Sequence, residues 1–136
     1  MTYGDYFNAA TENPELVSLF ENGNYSPGNI EGLATTARLY TPDPKVATLT
    51  DPRAWPFHAS REDLTGLPPV CISVNELDPL RDEGIGFYRK LLAAGNDCAA
   101  KIVLGATHCD DTSDDNGALA RATVRDVAAF AREVCA

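Results

Sequence analysis

The chain has 136 residues, of which 44% are hydrophobic and 23% charged, and this size and composition fit one globular domain. Its formal net charge of −9 argues against a nucleic-acid partner, because phosphate binding needs clustered Lys and Arg. The sequence has no apolar run near the roughly 18 residues of a membrane span and no secretory signal at its amino terminus, so we expect a cytoplasmic protein.

Residues 1–68 are rich in turn-forming residues, and we expect them to form loops and short helices on the cap side of the domain. Asn13-Pro14-Glu15 resembles an N-cap followed by proline at the first helical position. The helix predicted from it runs through Leu16, Val17, Leu19 and Phe20. A second helix is predicted from Asn29 to Tyr40, which has apolar residues at helical spacing. No strand is predicted in this half.

Residues 69–136 alternate strands with helices. Pro69 to Val74 is a β-rich apolar run that predicts a buried strand, and the helix after it extends from Leu80 to Ala94, with Gly95 as its C-cap. A second strand is predicted from Ala99 to Leu104, and a last helix from Ala118 to Val134. This order is typical of a βαβ unit with parallel neighbouring strands, so we predict one α/β domain over residues 1–136.

Asp78 and His108 follow the two predicted strands, at the sheet edge where open α/β sheets build their sites. Parallel strands lie about 4.8 Å apart, so a carboxylate from one loop can reach an imidazole from the next. Such an aspartate would fix the tautomer of the histidine, which would act as general base and then as general acid. The residues alone leave the alternative open. An aspartate before proline is commonly a turn residue, and a lone histidine is commonly structural.

A resemblance to a known family bears on that choice. The segment Glu76-Leu77-Asp78-Pro79-Leu80-Arg81-Asp82-Glu83-Gly84 resembles, over its whole length, the acid-bearing motif of the hormone-sensitive-lipase-like esterases. Gly105-Ala106-Thr107-His108 resembles the segment that carries the catalytic histidine of that family. Asp51 to Pro56 and Leu64 to Pro69 resemble the stretches before its acid strand. The resemblance implies the carboxyl-terminal part of an α/β-hydrolase fold, with Asp78 and His108 as acid and base of a Ser-His-Asp triad.

Two motifs of that family are absent from the 136 residues: the GxSxG turn of the nucleophilic serine and the HGG-type oxyanion loop. In the family both precede the region that matches. We therefore expect the last part of a longer carboxylic ester hydrolase, acting on a small ester once a serine-bearing half completes it. The alternative is a catalytically inactive interaction or self-association module. Members of the family often dimerise through the edge strand near the histidine, so the resemblance also implies a homodimer through the sheet edge.

An incomplete sheet should leave part of its apolar surface without cover. The side chains concerned would be Val70, Ile72, Val74, Ile102 and Val103. His58 lies among Trp55, Pro56 and Phe57, and we interpret it as a structural histidine packed under the sheet edge.

The residues after His108 depart from the family, which commonly has glycine and then an aromatic or apolar residue there. Cys109 to Asp115 instead predicts an acidic, flexible loop at the rim of the site. His108, Cys109, Asp110 and Asp111 do not predict a metal site, because adjacent residues seldom point at one ion, and no cofactor is expected. Isolated cysteines without CxxC or zinc spacing are typical of reduced residues in a cytosolic core. They are Cys71, Cys98, Cys109 and Cys135.

Overall fold

The computed structural model describes residues 14–23, 32, 35–36, 39–40, 51–113 and 117–135. Its helices and strands are α1 (Ser18–Glu21), β1 (Val70–Asn75), α2 (Arg81–Ala93), β2 (Cys98–Val103) and α3 (Gly117–Val134). Two short 3₁₀ helices cover Pro56–His58 and Asp110–Thr112. The strand–helix–strand–helix order predicted for the second half is confirmed, and each predicted boundary lies within one residue of the observed one.

The two strands are parallel neighbours, as predicted from the βαβ pattern. Their pairing runs from Val70 opposite Cys98 to Asn75 opposite Val103. Both loops that leave the carboxyl ends of the strands therefore start from the same edge of the sheet. Gly95 ends the connecting helix with a φ of 84°, a left-handed conformation that glycine adopts without a Cβ clash, as expected of a C-cap glycine.

Helix α2 packs on one face of the sheet and forms the larger of the two apolar clusters described. Leu91 on α2 has no exposed surface and packs with Ala59 and Leu64. Several partly buried side chains surround this cluster: Val70, Ile72, Phe87, Ala94 and Cys98. Helix and strand approach closely at Gly84, where a Cβ atom would lie 2.5 Å from Cγ1 of Val74.

The prediction that β1 is a buried strand is wrong for this chain. From Val70 to Val74 its residues alternate between partly buried and exposed, with Cys71 and Ser73 exposed on the face away from α2, and only Asn75 at its end is buried. The cause is that α2 covers one face only, whereas α3 contacts chiefly the Asp110–Thr112 turn. The predicted shortage of cover is confirmed at Ile102, which is 49% exposed beside an apolar cavity of about 200 Å³ between the sheet and α2. It is not seen at the other four predicted side chains, which are partly buried: Val70, Ile72, Val74 and Val103.

Helix α1 is shorter than predicted. Asn13 lies outside the described residues, and the chain from Pro14 to Val17 forms turns before the helix starts at Ser18. The helix begins there because the Ser18 N–H donates a hydrogen bond to Oδ2 of Asp82, at 2.7 Å. The cap therefore comes from α2 and not from a neighbouring residue. Of the helix predicted from Asn29 to Tyr40, the described residues 32, 35–36 and 39–40 are helical, and the others lie outside the described part.

Phe57 connects the first half of the chain to α2. Its ring packs against Leu16 and Leu19, and it lies so close to Gly86 that a Cβ atom there would be 2.7 Å from the ring. Phe57 thus anchors the first half of the chain on α2. His58 is exposed rather than packed under the sheet, although its ring makes an edge contact with that of Phe57 at 5.6 Å.

The cysteine prediction is wrong in its placement. All four cysteines are free, but Cys71, Cys109 and Cys135 are exposed and Cys98 is only partly buried. The three exposed cysteines lie on the open sheet face, in a tight turn and after α3, and only Cys98 packs at the edge of an apolar cluster. Within the described part of the chain, no helix combines the length and the apolarity needed to cross a membrane.

Candidate functional site

The loops that follow β1 and β2 run side by side and are joined by hydrogen bonds. The backbone N–H of Glu76 donates to the carbonyl of Val103, and that of Leu77 to the carbonyl of Ala106, both at 2.9 Å. The Glu76 carboxylate also accepts the N–H of Gly105 at 2.7 Å. This ladder fixes the loop that carries Asp78 against the loop that carries His108.

Asp78 and His108 meet at the end of the ladder, so the structure brings the two predicted site residues together. Oδ2 of Asp78 lies 2.9 Å from Nδ1 of His108. The aspartate side chain is 13% exposed and the histidine side chain 35%. An ionised carboxylate can only accept, so this contact places the ring proton on Nδ1 and leaves the Nε2 lone pair as the basic position.

Asp78 fills the role of a turn residue at the same time. Its Oδ1 accepts the N–H of Leu80 at 2.8 Å, across the buried Pro79. Each carboxylate oxygen therefore has its own donor, one in the turn and one on the imidazole. The sequence left open whether Asp78 is a turn residue or a catalytic acid. The two roles are compatible, because the turn directs Oδ2 towards His108.

Helix α1 holds the aspartate loop from the other side. The side-chain amide of Asn22 donates to the carbonyls of Glu76 (3.1 Å) and Asp78 (3.3 Å). The hydroxyl of Ser18 donates to the carbonyl of Pro79 at 2.8 Å, and Arg81 Nη1 donates to that of Glu76 at 2.9 Å. Sequence reasoning missed Ser18 and Asn22, since they lie more than fifty positions away from the carbonyls they bind.

A second carboxyl lies near Asp78. Glu83, in the first turn of α2, is largely buried, and its burial together with the charge of Asp78 raises its pKa to about 7. Near neutral pH this side chain therefore exchanges a proton close to the Asp78–His108 pair. It belongs to the segment that resembles the acid motif, but its burial could not be read from that motif.

The turn after His108 is ordered, which corrects the expectation of a flexible acidic loop over its described part. Oδ2 of Asp110 accepts hydrogen bonds from the backbone N–H (2.8 Å) and the hydroxyl (2.7 Å) of Thr107. Asp111 is only 6% exposed and accepts from Asn75 and Thr123. Asp114 and Asp115 lie outside the described residues. Asp110 thus binds the histidine loop itself, and Asp111 ties that loop to β1 and α3.

Cys109 is the one non-glycine residue with positive φ that the structure describes, at 64°. This left-handed conformation is the one that glycine adopts without strain, so the backbone here suits the glycine common in the resembling family. The thiol is free and exposed. Within the described ranges, no group of three or more His, Cys, Asp or Glu side chains could hold a metal ion.

Comparisons with known proteins agree with the resemblance noted in the sequence. Residues 7–110 match the family described as alpha/beta hydrolase fold. Among solved structures, the chain is similar to brefeldin A esterase, a bacterial homologue of human hormone sensitive lipase, with 44% identity and a TM-score of 0.82 over 95% of this chain and 35% of that one. Carboxyl esterase 2 from the mycorrhizal fungus Tuber melanosporum has 32% identity and a TM-score of 0.75 over 86% and 39% of the two chains.

Curated relatives are also described as esterases. Esterase LipI of Mycobacterium tuberculosis is 36% identical over 80 residues, which are 59% of this chain and 24% of LipI. Carboxylic ester hydrolase LipN of the same organism is 43% identical over 58 residues, or 43% of this chain and 15% of LipN. The chain thus spans a quarter or less of these curated relatives and about a third of brefeldin A esterase.

Proposed function

This chain belongs to the α/β-hydrolase fold family, and from that premise we propose that it supplies the acid and the base of a Ser-His-Asp triad for carboxylic ester hydrolysis. The observation that carries the proposal is the 2.9 Å contact between Asp78 Oδ2 and His108 Nδ1. The similarity to esterases supports the reaction class. The nucleophilic serine and the oxyanion donors come from outside these 136 residues, and the substrate is a small ester in the cytoplasm.

In the proposed reaction, His108 Nε2 takes the proton of the serine hydroxyl as its oxygen attacks the ester carbonyl. Asp78 holds the ring in the required tautomer and stabilises the imidazolium that forms. The imidazolium then returns the proton to the departing alkoxide, which leaves as the alcohol. A water molecule then attacks the acyl-serine while Nε2 accepts its proton, the imidazolium returns that proton to the departing serine oxygen, and the carboxylic acid is released.

A chimeric enzyme tests this proposal directly. This chain would replace the matching segment of brefeldin A esterase, and hydrolysis of p-nitrophenyl butyrate would be followed. If His108 is the base, the chimera is active and His108→Ala lowers kcat by about 10⁴-fold or more. His58→Ala is the matched control, because His58 is the other histidine of the chain, and it should change kcat little.

The proposal fails if a folded chimera keeps its activity in the His108→Ala variant. It also fails if the folded chimera has no activity at all. The chain by itself should hydrolyse the ester no faster than its His108→Ala variant, because the remaining acid and base lack a nucleophile.

A second candidate function is self-association without catalysis. The observation that favours it is the exposed apolar surface at and just after β2, where Ile102 is 49% and Leu104 75% exposed. We propose that a homodimer would form through this edge. Light scattering across a range of concentrations should then show a dimer that Leu104→Lys dissociates. Val124→Lys, at a position on α3 that is 63% exposed, is the control and should leave the dimer intact. A monomer at all concentrations contradicts this candidate.

A further inference from the structure

We propose that Asn75 and Asp111 form a positioning pair that sets the orientation of His108. The inference rests on the proposed function, since it matters for catalysis only if His108 is the base. The side-chain hydrogen bonds of the two residues go to Thr107, to each other and to Thr123, and not to the imidazole. Both act on the backbone that carries His108.

Asn75 joins the end of β1 to both sides of the histidine. It is the last residue of the strand and is only 5% exposed. Its side-chain Nδ2 donates to the carbonyl of Thr107 at 2.8 Å and to Oδ1 of Asp111 at 2.9 Å. Thr107 immediately precedes His108 and Asp111 follows it three positions later. One amide group therefore holds the turn at both ends.

The orientation of this amide is fixed by its surroundings. Turning it over would place Oδ1 against a carbonyl oxygen and a carboxylate oxygen, with no proton between them. In the observed orientation Oδ1 is buried and has no hydrogen-bond partner in the described structure. A buried unpaired acceptor is unfavourable. Asn75 keeps this orientation although Oδ1 is unpaired. The two hydrogen bonds of Nδ2 therefore determine how the amide is oriented.

Asp111 extends the connection to α3. Its Oδ2 accepts the hydroxyl of Thr123 at 3.2 Å, and Thr123 is only 5% exposed. The histidine turn is thus tied at Asp111 to β1 on one side and to α3 on the other. Asp110 adds the local bonds to Thr107 already described.

The position of Asn75 explains why these bonds would control the imidazole. Asp78 lies three residues further along the chain, in the loop that follows β1, and its N–H donates to the Asn75 carbonyl at 3.2 Å. The end of β1 therefore carries both the carboxylate that binds Nδ1 and the amide that binds the backbone of the histidine turn. If the amide is lost, the carboxylate stays in place but the imidazole can turn away from it.

Nuclear magnetic resonance on the 136-residue chain can measure how fast the Nδ1 proton of His108 exchanges with water. This rate would not change if Asn75 and Asp111 only stabilised the fold. The chain has two histidines, so labelled ring nitrogens can be assigned with His58→Ala. In the wild type we expect a slowly exchanging Nδ1 proton on His108 that disappears in Asp78→Asn. Asn75→Leu and Asp111→Ala should each make this proton exchange with water at least about fivefold faster, since each removes a hydrogen bond that opposes opening of the turn.

Two further variants separate positioning from general destabilisation. Asp111→Asn keeps an oxygen for Asn75 and should restore the wild-type exchange rate. Asn96→Leu is the matched control. Asn96 donates to the carbonyls of Leu64 (2.7 Å) and Leu91 (3.2 Å) just before β2, at the opposite end of the sheet. It should lower the melting temperature and leave the His108 proton unchanged.

The outcomes are distinguishable. Folded Asn75→Leu and Asp111→Ala chains with a wild-type His108 signal overturn the positioning role and leave the proposed triad intact. If Asn75→Leu does not fold, Asp111→Ala decides the question, and unfolding of both means that the pair is only structural and overturns the inference. A wild-type chain without any Asp78-dependent proton on Nδ1 contradicts the proposed function itself.

Discussion

Ser18 and Asp82, which lie 64 positions apart, cap each other's helices. The Ser18 N–H at the start of α1 donates to Oδ2 of Asp82 at 2.7 Å, and the Asp82 N–H in the first turn of α2 donates to Oγ of Ser18 at 3.1 Å. The exchange has the form of a capping box, but it joins two helices instead of two positions of one helix. It fixes α1 against the loop that carries Asp78.

Replacing Ser18 by alanine should destabilise the fold by about 2 kcal/mol, because the Asp82 N–H loses its acceptor and the buried Pro79 carbonyl loses its donor. Ser60→Ala is the matched control. Ser60 and Asp63 exchange the same two kinds of bond, but locally and at an exposed site, so we expect a loss of about 0.5 kcal/mol. Urea unfolding measures both. Equal losses would mean that the long-range cap adds nothing.

Glu83 should make the protein less stable as the pH rises. Its pKa is raised from 4.5 to about 7 by burial and by Asp78, so between these values the folded chain holds a proton that the unfolded chain has released. Unfolding then releases a proton and is favoured by higher pH. The shift corresponds to about 3 kcal/mol of stability, present below pH 4.5 and lost as the pH passes 7.

Glu83→Gln should remove this dependence and raise the stability at pH 8 relative to the wild type. The measurement is the free energy of unfolding in urea between pH 4.5 and 8. Glu133→Gln, at an exposed position on α3, is the control and should leave the slope unchanged. A wild-type profile with the same slope as that of Glu83→Gln would contradict the prediction.

Gly86→Ala should destabilise the protein although alanine favours a helix. The new Cβ would lie 2.7 Å from the Phe57 ring, so the ring must move away from Leu16 and Leu19. Overpacking of this kind costs about 1–3 kcal/mol, more than the roughly 1 kcal/mol that alanine adds in helix propensity. Thermal unfolding measures the effect. Adding Phe57→Leu should recover part of the loss, and a strictly additive double variant would exclude the clash as its cause.

The backbone at Cys109 suggests a stabilising substitution. Because its φ is 64°, Cys109→Gly should relieve strain and stabilise the fold by about 1 kcal/mol. Gly105→Ala is the reverse experiment. Gly105 has a φ of 73° with open space around its Cα, so alanine there should destabilise by about the same amount through backbone strain alone. Melting temperatures that move in one direction for both variants would contradict this account.

Asp78→Asn should preserve the fold and impair the chimeric esterase. The asparagine can present its amide to His108 Nδ1 and so favour the wrong tautomer, which predicts a fall in kcat of about 10³–10⁴-fold. The turn bond from Leu80 to Oδ1 can persist, so the melting temperature should change little. A kcat within about tenfold of the parent would argue that Asp78 is a turn residue and no more.

The sequence predicted the second half of the fold well because its signals are local. Apolar runs, Gly95 and the alternation of strands and helices fix β1, α2, β2 and α3 within a residue. The parallel strands made a meeting of Asp78 and His108 possible, and the resemblance of the two segments to a known family predicted it. The features that the sequence could not predict depend on partners far away in the chain. The start of α1 is set by Asp82, and the turn after His108 is held by Asn75 and Thr123. The burial of Glu83 depends on how α2 packs.

The ladder between the two loops has a consequence for how this sequence can change over evolutionary time. The bonds from Glu76 to Val103 and from Leu77 to Ala106 join backbone atoms, which every residue except proline supplies in full. Drift in the side chain of Leu77 therefore leaves the spacing of Asp78 and His108 largely untouched, whereas the Glu76 carboxylate also accepts the N–H of Gly105. Proline at position 76 or 77 removes a donor from the ladder, so selection should exclude it at both positions, tolerate most other exchanges at Leu77 and favour glutamate at position 76.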